Sequence, residues 1–391
     1  MVILLLIFFL GTSDNQMISP LLPLIADEFN LEAGEVGEKL GPAYALAAAL
    51  SSLFIGSLSD RFGRHRFLLY ASILFGFSLL ATFFIKDAAS LAAVRLLTGL
   101  AAGTFSTCSV AYVGDYFPYE RRATAMSIVQ AGYFFAFVLG IPVATLIAQA
   151  QGWRASFVVF GGLSLLAFFL VLFFLPTDKH LMTHHTSEGA KRFDNLKLVF
   201  GNRERIASIF AAFCVSCGFV GFLFYLGSWL RKNFAAQPPT VGFIFIAVGV
   251  VSLVGAFVAG PIADKFGKRF ISILSTLVLA LMLFIIPRFG FGVLLFASFL
   301  TAALAFAFRQ GPVQALATEL VPTHARGSLV AMRNTASQFG VAVSTWVSGH
   351  LFDEYGYGAV GVFCGIVSIA AAIFILMMKE PQTEGGESSK S

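Results

Sequence analysis

Twelve stretches of predominantly apolar residues, each long enough to cross a bilayer as a helix, follow one another along this chain. They lie near residues 2–26, 38–59, 67–86, 91–114, 123–149, 154–176, 205–230, 240–263, 270–288, 290–315, 327–352 and 358–378. Hydrocarbon offers no water to backbone N–H and C=O groups, so runs of this kind are restricted to helices that satisfy them internally. Composition decides against a soluble alternative. Charged residues make up 12% of the chain, half of the roughly 25% of a soluble domain, too few to build a water-facing exterior. The 45 Phe suit lipid-facing surface, and the 37 Gly let spanning helices approach closely. Met1-Val2-Ile3-Leu4 shows neither a basic leader nor a small-residue cleavage site, so it reads as the start of the first span. The sequence predicts an all-α membrane protein.

Lysine and arginine orient it. Arg61, Arg64, Arg66, Arg121, Arg122, Lys265, Lys268, Arg269 and Arg326 fall in loops on one side, whereas the other side carries only Lys39, Lys86, Arg154, Arg231, Lys232 and Arg288. The positive-inside bias puts the first set, and both termini, in the cytoplasm of an inner-membrane protein. A polar stretch at 177–204 reads as a cytoplasmic linker between six-helix bundles at 1–176 and 205–378, with a cytoplasmic tail at 379–391.

The two bundles repeat one another. Gly56-Ser-Leu-Ser-Asp60-Arg61-Phe-Gly63-Arg64 recurs as Gly260-Pro-Ile-Ala-Asp264-Lys-Phe-Gly267-Lys268. The same offset of 204 pairs Asp115 with Glu319, Pro118 with Pro322, Arg122 with Arg326 and Gly152 with Gly356. An even number of spans per repeat makes the repeats parallel, related by an axis along the membrane normal, with substrate expected between them near the midplane.

Other chemistries find little support. No aromatic-basic stripe points to nucleic acid. Cys214 and Cys217 form a CxxC inside an apolar helix without a second ligand pair, and read with Cys108 and Cys364 as packing residues. His180, His184 and His185 lie in the polar linker and read as solvated; no metal or other cofactor is expected. The HExxH motif of an intramembrane metalloprotease is absent.

Four groups of residues resemble the major facilitator superfamily, and the resemblance covers essentially the whole chain. The loop from Gly56 to Arg66 resembles that family's cytoplasmic gate. Gly56 would let a neighbour approach, Gly63 would allow the tight turn, and Asp60 would face a helix N-terminus and nearby arginines. The resemblance implies a gate of Gly56, Asp60, Arg61, Gly63, Arg64, Asp115 and Arg122, with Asp264, Gly267, Lys268, Glu319 and Arg326 in the second half. Arg95-x-x-x-Gly99-x-x-x-Gly103 on the fourth span is similar to a family pattern associated with proton coupling. Gly140-Ile141-Pro142, followed by Gly152-Trp153-Arg154, resembles the fifth-span signature of efflux members, although Ile141 separates Gly140 from Pro142 and Ala144-Thr145 stand where those members carry glycines. Asp14, followed by Leu21-Leu22-Pro23, is similar to the first span of arabinose-efflux and chloramphenicol-efflux types.

Polar groups inside spans are expensive and default to functional positions. Asp14, Asn15 and Gln16 interrupt the first span, Arg95 the fourth, Arg309-Gln310 the tenth and Arg333-Asn334 the eleventh. We expect them at the proton-coupling site and substrate cavity. The resemblance implies proton-coupled efflux of a small amphipathic compound by alternating access, by a monomer working with lipid, substrate and protons alone. The three arginines against one acid keep a second expectation open, a carrier of an organic anion, sugar or lipid working by uptake or uniport.

Overall fold

A computed structural model describes residues 1–117, 119–177, 198, 200–321 and 326–378. Most of the linker, with His180, His184 and His185, and the tail from Lys379 lie outside the described residues, as do the side chains of Asp60, Arg122 and Arg326.

The chain folds into twelve helical spans in two parallel six-helix repeats. The first span is broken: α1 (Val2–Gln16) and α2 (Ile18–Phe29) meet at Met17 with a 46° bend. The break falls between the polar run Thr12–Gln16 and Pro20, where the helix has both a reason to expose backbone and a residue that cannot donate. It continues as α3 (Ala33–Phe62), α4 (Arg64–Ala81) and α5 (Ala88–Tyr116). The fifth span is α6 (Tyr119–Phe135), a single π-helical turn over Ala136–Gly140 and α7 (Ile141–Gln151), and α8 (Trp153–Phe174) closes the half. The second half comprises α9 (Arg203–Phe234), α10 (Pro238–Phe266), α11 (Lys268–Ile285), α12 (Val293–Glu319), α13 (Arg326–Tyr355) and α14 (Tyr357–Leu376).

Three details correct the sequence reading. The first span runs on to Phe29, three residues past its expected end. The seventh starts at Arg203, inside the expected linker, because Asn202 caps it: its Oδ1 accepts from the Glu204 N–H at 2.9 Å. At the efflux-like signature the helix absorbs Gly140 and Pro142 through the π turn.

The offset of 204 survives in backbone detail. Gly63 and Gly267 take φ of 95° and 94°, and Gly152 and Gly356 take 83° and 78°. A side chain is strained in that region, so glycine at these four positions fixes the hairpins of both repeats.

Close approach also explains the glycines of the fourth span. Gly99 and Gly103 of α5 face the α3 backbone at Tyr44 and Ala48, and a Cβ on Gly103 would stand 2.6 Å from the Ala48 carbonyl oxygen. Gly103→Ala is therefore expected to lower stability by about 1–3 kcal/mol, since backbone must move to admit it. The check is the thermal unfolding midpoint of the purified protein; an unchanged midpoint would remove this seam from the packing account.

α13 is unlike its neighbours. Among the described residues ten helices are singly apolar and long enough to cross a bilayer, and the α1–α2 pair adds another, but α13 spans by its 30 residues rather than by hydropathy. It buries Arg333, Ser344, Thr345 and Ser348 against protein. Ser344 donates to the Cys217 carbonyl at 2.5 Å and accepts from the Gly221 N–H at 2.8 Å. That polar face packs against its partners and the cavity, while Phe339, Val343 and Trp346, at i, i+4 and i+7, are exposed on the outer side.

Candidate functional site

Two symmetric ion pairs stand at the loops that, by the resemblance, are expected to form a gate. Arg64 Nε, at the start of α4, meets Asp115 Oδ2 near the end of α5 at 2.5 Å. Lys268 Nζ, at the start of α11, meets Glu319 Oε1 at the end of α12 at 2.6 Å. Each pair closes within its own half and ties a hairpin loop to the next span but one. Asp264 and Arg61 are exposed, and the Arg61 guanidinium lies 5.3 Å over the Phe62 ring. The close approach expected at Gly56 is absent in this arrangement, because a Cβ there would meet only the Thr107 methyl, at 3.7 Å.

Bonds between the halves gather at the opposite face. Ser19 Oγ donates to the Leu223 carbonyl at 2.6 Å, and Asp27 pairs with Arg231 Nη2 at 2.6 Å. Asp353 of α13 reaches across to the N-terminus of α3, where its two carboxylate oxygens each accept one N–H, from Gly34 and Glu35, at 2.9 Å. A carboxylate on a helix N-terminus satisfies orphan donors and complements the helix dipole.

Between this closed face and the gate loops lies a cavity of about 340 Å³ shared by both halves. Asn15, Gln16, Arg309, Gln310, Arg333 and Asn334 all line it, as expected from the sequence. Asp14 and Arg95 do not, which corrects the grouping of all eight around one cavity. They form a salt bridge at 2.6 Å, with side chains 0% and 1% exposed. Tyr44 stands between the pair and the cavity. Its ring lines the cavity, the Arg95 guanidinium lies 4.4 Å from its centroid, and its hydroxyl donates to the Gly11 carbonyl at 3.1 Å. Burial of Arg95 also excludes snorkelling to an interface.

Arg309 and Arg333 are 0% and 6% exposed, yet Nε and Nη1 of each find no hydrogen-bond partner among the described residues. Among the described residues lining the cavity there is no carboxylate. The remaining wall is amide and aromatic. Gln310 and Gln314 sit one turn apart on α12, and Asn334 and Gln338 one turn apart on α13. Phe8, Phe105 and Tyr133 come from the first half. Phe219 and Phe306 come from the second and stack with centroids 4.5 Å apart. Sequence reading passed over Gln314 and Gln338, although their i, i+4 spacing inside apolar helices was a usable signal.

The family model described as Major Facilitator Superfamily matches residues 4–232 and 209–391. The chain belongs to the major facilitator superfamily. It is a multi-pass membrane transporter and not an enzyme. Among curated proteins it is 25% identical to the MFS-type transporter YwfA of Bacillus subtilis, over 92% of this chain and 87% of that one. It is 24% identical to the cis,cis-muconate transport protein of Acinetobacter baylyi, over 96% and 93%. It is 25% identical to the probable sulfoacetate transporter SauU of Cupriavidus necator, over 98% and 95%. The crystal structure of a D-xylose-proton symporter superposes with a TM-score of 0.81 at 21% identity, over 96% of each chain, a likeness of fold.

In a major facilitator transporter, a face closed by inter-half bonds must open during the cycle. Asp353→Ala removes two of those bonds at once. It is expected to raise the population open at that face several-fold, since each lost charged bond shifts a two-state equilibrium by about 1 kcal/mol or more. Labelling of a cysteine at Val220, in a background lacking the native cysteines, reads that population; unchanged labelling would show that Asp353 does not hold the face shut.

Proposed function

We propose that this transporter carries a small organic anion across the inner membrane by alternating access, as a monomer, with gate loops and both termini in the cytoplasm. One observation supports this above the rest: two buried, unpaired guanidiniums face a cavity with no lining carboxylate among the described residues. A buried charge without a partner is costly, and an anionic substrate supplies the partner. Arginine binds carboxylates and related oxyanions through a planar fork of donors. The aromatic wall suits an apolar body, and the relatives that carry muconate and sulfoacetate fit the same chemistry.

Proton-coupled efflux of an amphipathic compound, the reading suggested by the first and fifth spans, draws on two further observations. The aromatic wall accepts such a body, and Asp14 Oδ1 has no hydrogen-bond partner among the described residues, an oxygen placed to take up a proton. An amphipathic anion satisfies both readings. A cation does not, because two guanidiniums repel it. Proteoliposomes with an imposed pH gradient test the matter. Radiolabelled organic anions are expected to cross, in a direction set by the gradient, while cationic dyes and neutral sugars do not. Transport of the cations or sugars without the anions would overturn the reading.

A further inference from the structure

Resting on the organic-anion reading, we infer that the substrate is a dianion whose two acid groups are held separately, one by Arg309 and one by Arg333. Charge counting is the first argument. The described residues lining the cavity offer two positive charges and no negative one. A monoanion leaves one guanidinium buried without a counter-charge, whereas a diacid neutralises both. The Asp14 carboxylate cannot serve as the second counter-charge, because it is engaged by Arg95 behind the Tyr44 ring.

Placement is the second argument. Arg309 lies ten residues from the Glu319 end of α12, and Arg333 seven from the Arg326 start of α13. Both ends are at the gate-loop face. At a rise of 1.5 Å per residue the two positions are ~15 Å and ~10 Å deep, levels about 5 Å apart. Two carboxylates on one short molecule match two forks at different levels better than a single carboxylate does. Each arginine has the same two atoms, Nε and Nη1, unbonded, and each is followed in sequence by an amide that also lines the cavity, Gln310 or Asn334. The two half-sites are thus alike in composition.

The rings supply the third argument. Phe306 lies one turn before Arg309, whose guanidinium stands 5.7 Å from its centroid, and Phe219 and Tyr133 lie nearly parallel to it at interplanar angles of 22° and 23°. A compact, flat spacer between the acid groups fits this wall and the modest cavity volume.

Titration calorimetry on the full-length protein in nanodiscs at pH 7.5 tests the inference with matched pairs: fumarate against monomethyl fumarate, and terephthalate against monomethyl terephthalate. The wild-type protein is expected to bind each diacid at least thirty-fold more tightly than its monoester. Arg309→Gln and Arg333→Gln are each expected to bring that ratio close to one, with Arg333→Lys restoring part of it. Equal affinity of the wild-type protein for diacid and monoester would overturn the inference and leave the anion reading standing. Binding of neither, alongside binding of neutral or cationic compounds, would overturn both.

Discussion

Arg309→Gln is expected to reduce transport of the organic anion by at least about thirtyfold, while the protein still inserts and folds. Arg309 is fully buried on α12, and its one described hydrogen bond is a long contact of 3.4 Å from Nη2 to the Val215 carbonyl. The side chain therefore contributes little to the fold and is held ready for a ligand. Truncating one partner of a buried, hydrogen-bonded charge pair costs about 2–5 kcal/mol, which corresponds to roughly 30- to 4,000-fold in affinity. Removing an unpaired buried cation from the unloaded protein should leave its thermal midpoint unchanged or raise it. Uptake of labelled anion and thermal unfolding, measured on the same preparation, check both halves of the expectation. Normal transport by a folded Arg309→Gln protein would take Arg309 out of the binding site.

Asp14→Asn carries the other large expectation. The Asp14–Arg95 pair is wholly buried, so the amide would leave Arg95 with an uncompensated charge at a cost of about 3–5 kcal/mol. Lower yield and a lower thermal midpoint should follow. The double variant Asp14→Asn/Arg95→Met should regain much of the stability, because a buried pair replaced by uncharged groups of similar size is often tolerated. Transport separates the two roles this pair can have. If the carboxylate carries the proton, the stabilised double variant will exchange substrate across the membrane without responding to a pH gradient. Gradient-driven accumulation by that variant would leave the pair a structural element alone.

Much of this was readable from sequence because lipid and repetition restrict the answers. Long apolar runs in hydrocarbon become helices, and the offset of 204 picked out the four positive-φ glycines and, as repeat equivalents, the residues Arg64, Asp115, Lys268 and Glu319 that the fold joins into ion pairs within each half. The site was less legible. Asp14, Asn15 and Gln16 are consecutive, and successive helical residues point about 100° apart. They cannot all face one cavity. Which of them turns inward to meet Arg95 is settled by Tyr44, Arg95 and Gly99, residues of other spans, and no local pattern contains that information. Asp353 was hidden for a different reason. It lies at a helix end among other acids, where a carboxylate ordinarily signals only solvent, and its partners Gly34 and Glu35 are more than three hundred residues away in the chain. The first span ends at Phe29 rather than near residue 26 because the chain turns at Asn30, which takes the left-handed φ of 54° and returns its N–H to the Ala26 and Asp27 carbonyls.

That bend has a mechanical consequence. α1 is fastened to its own half: Tyr44 bonds the Gly11 carbonyl, and Gly132 and Gly140 bring the fifth span against its backbone and Ser13. α2 is tied to both halves: Ser19 and Asp27 bond the second, and Glu28 accepts from the Trp153 Nε1–H at 2.6 Å and pairs with Arg154 of the first. The α2 end of the span is thus a shared clasp, and its bonds to the second half part when the closed face opens. Met17 divides a segment that stays with its own half from one that changes partners, and Asp14 sits one turn from that boundary.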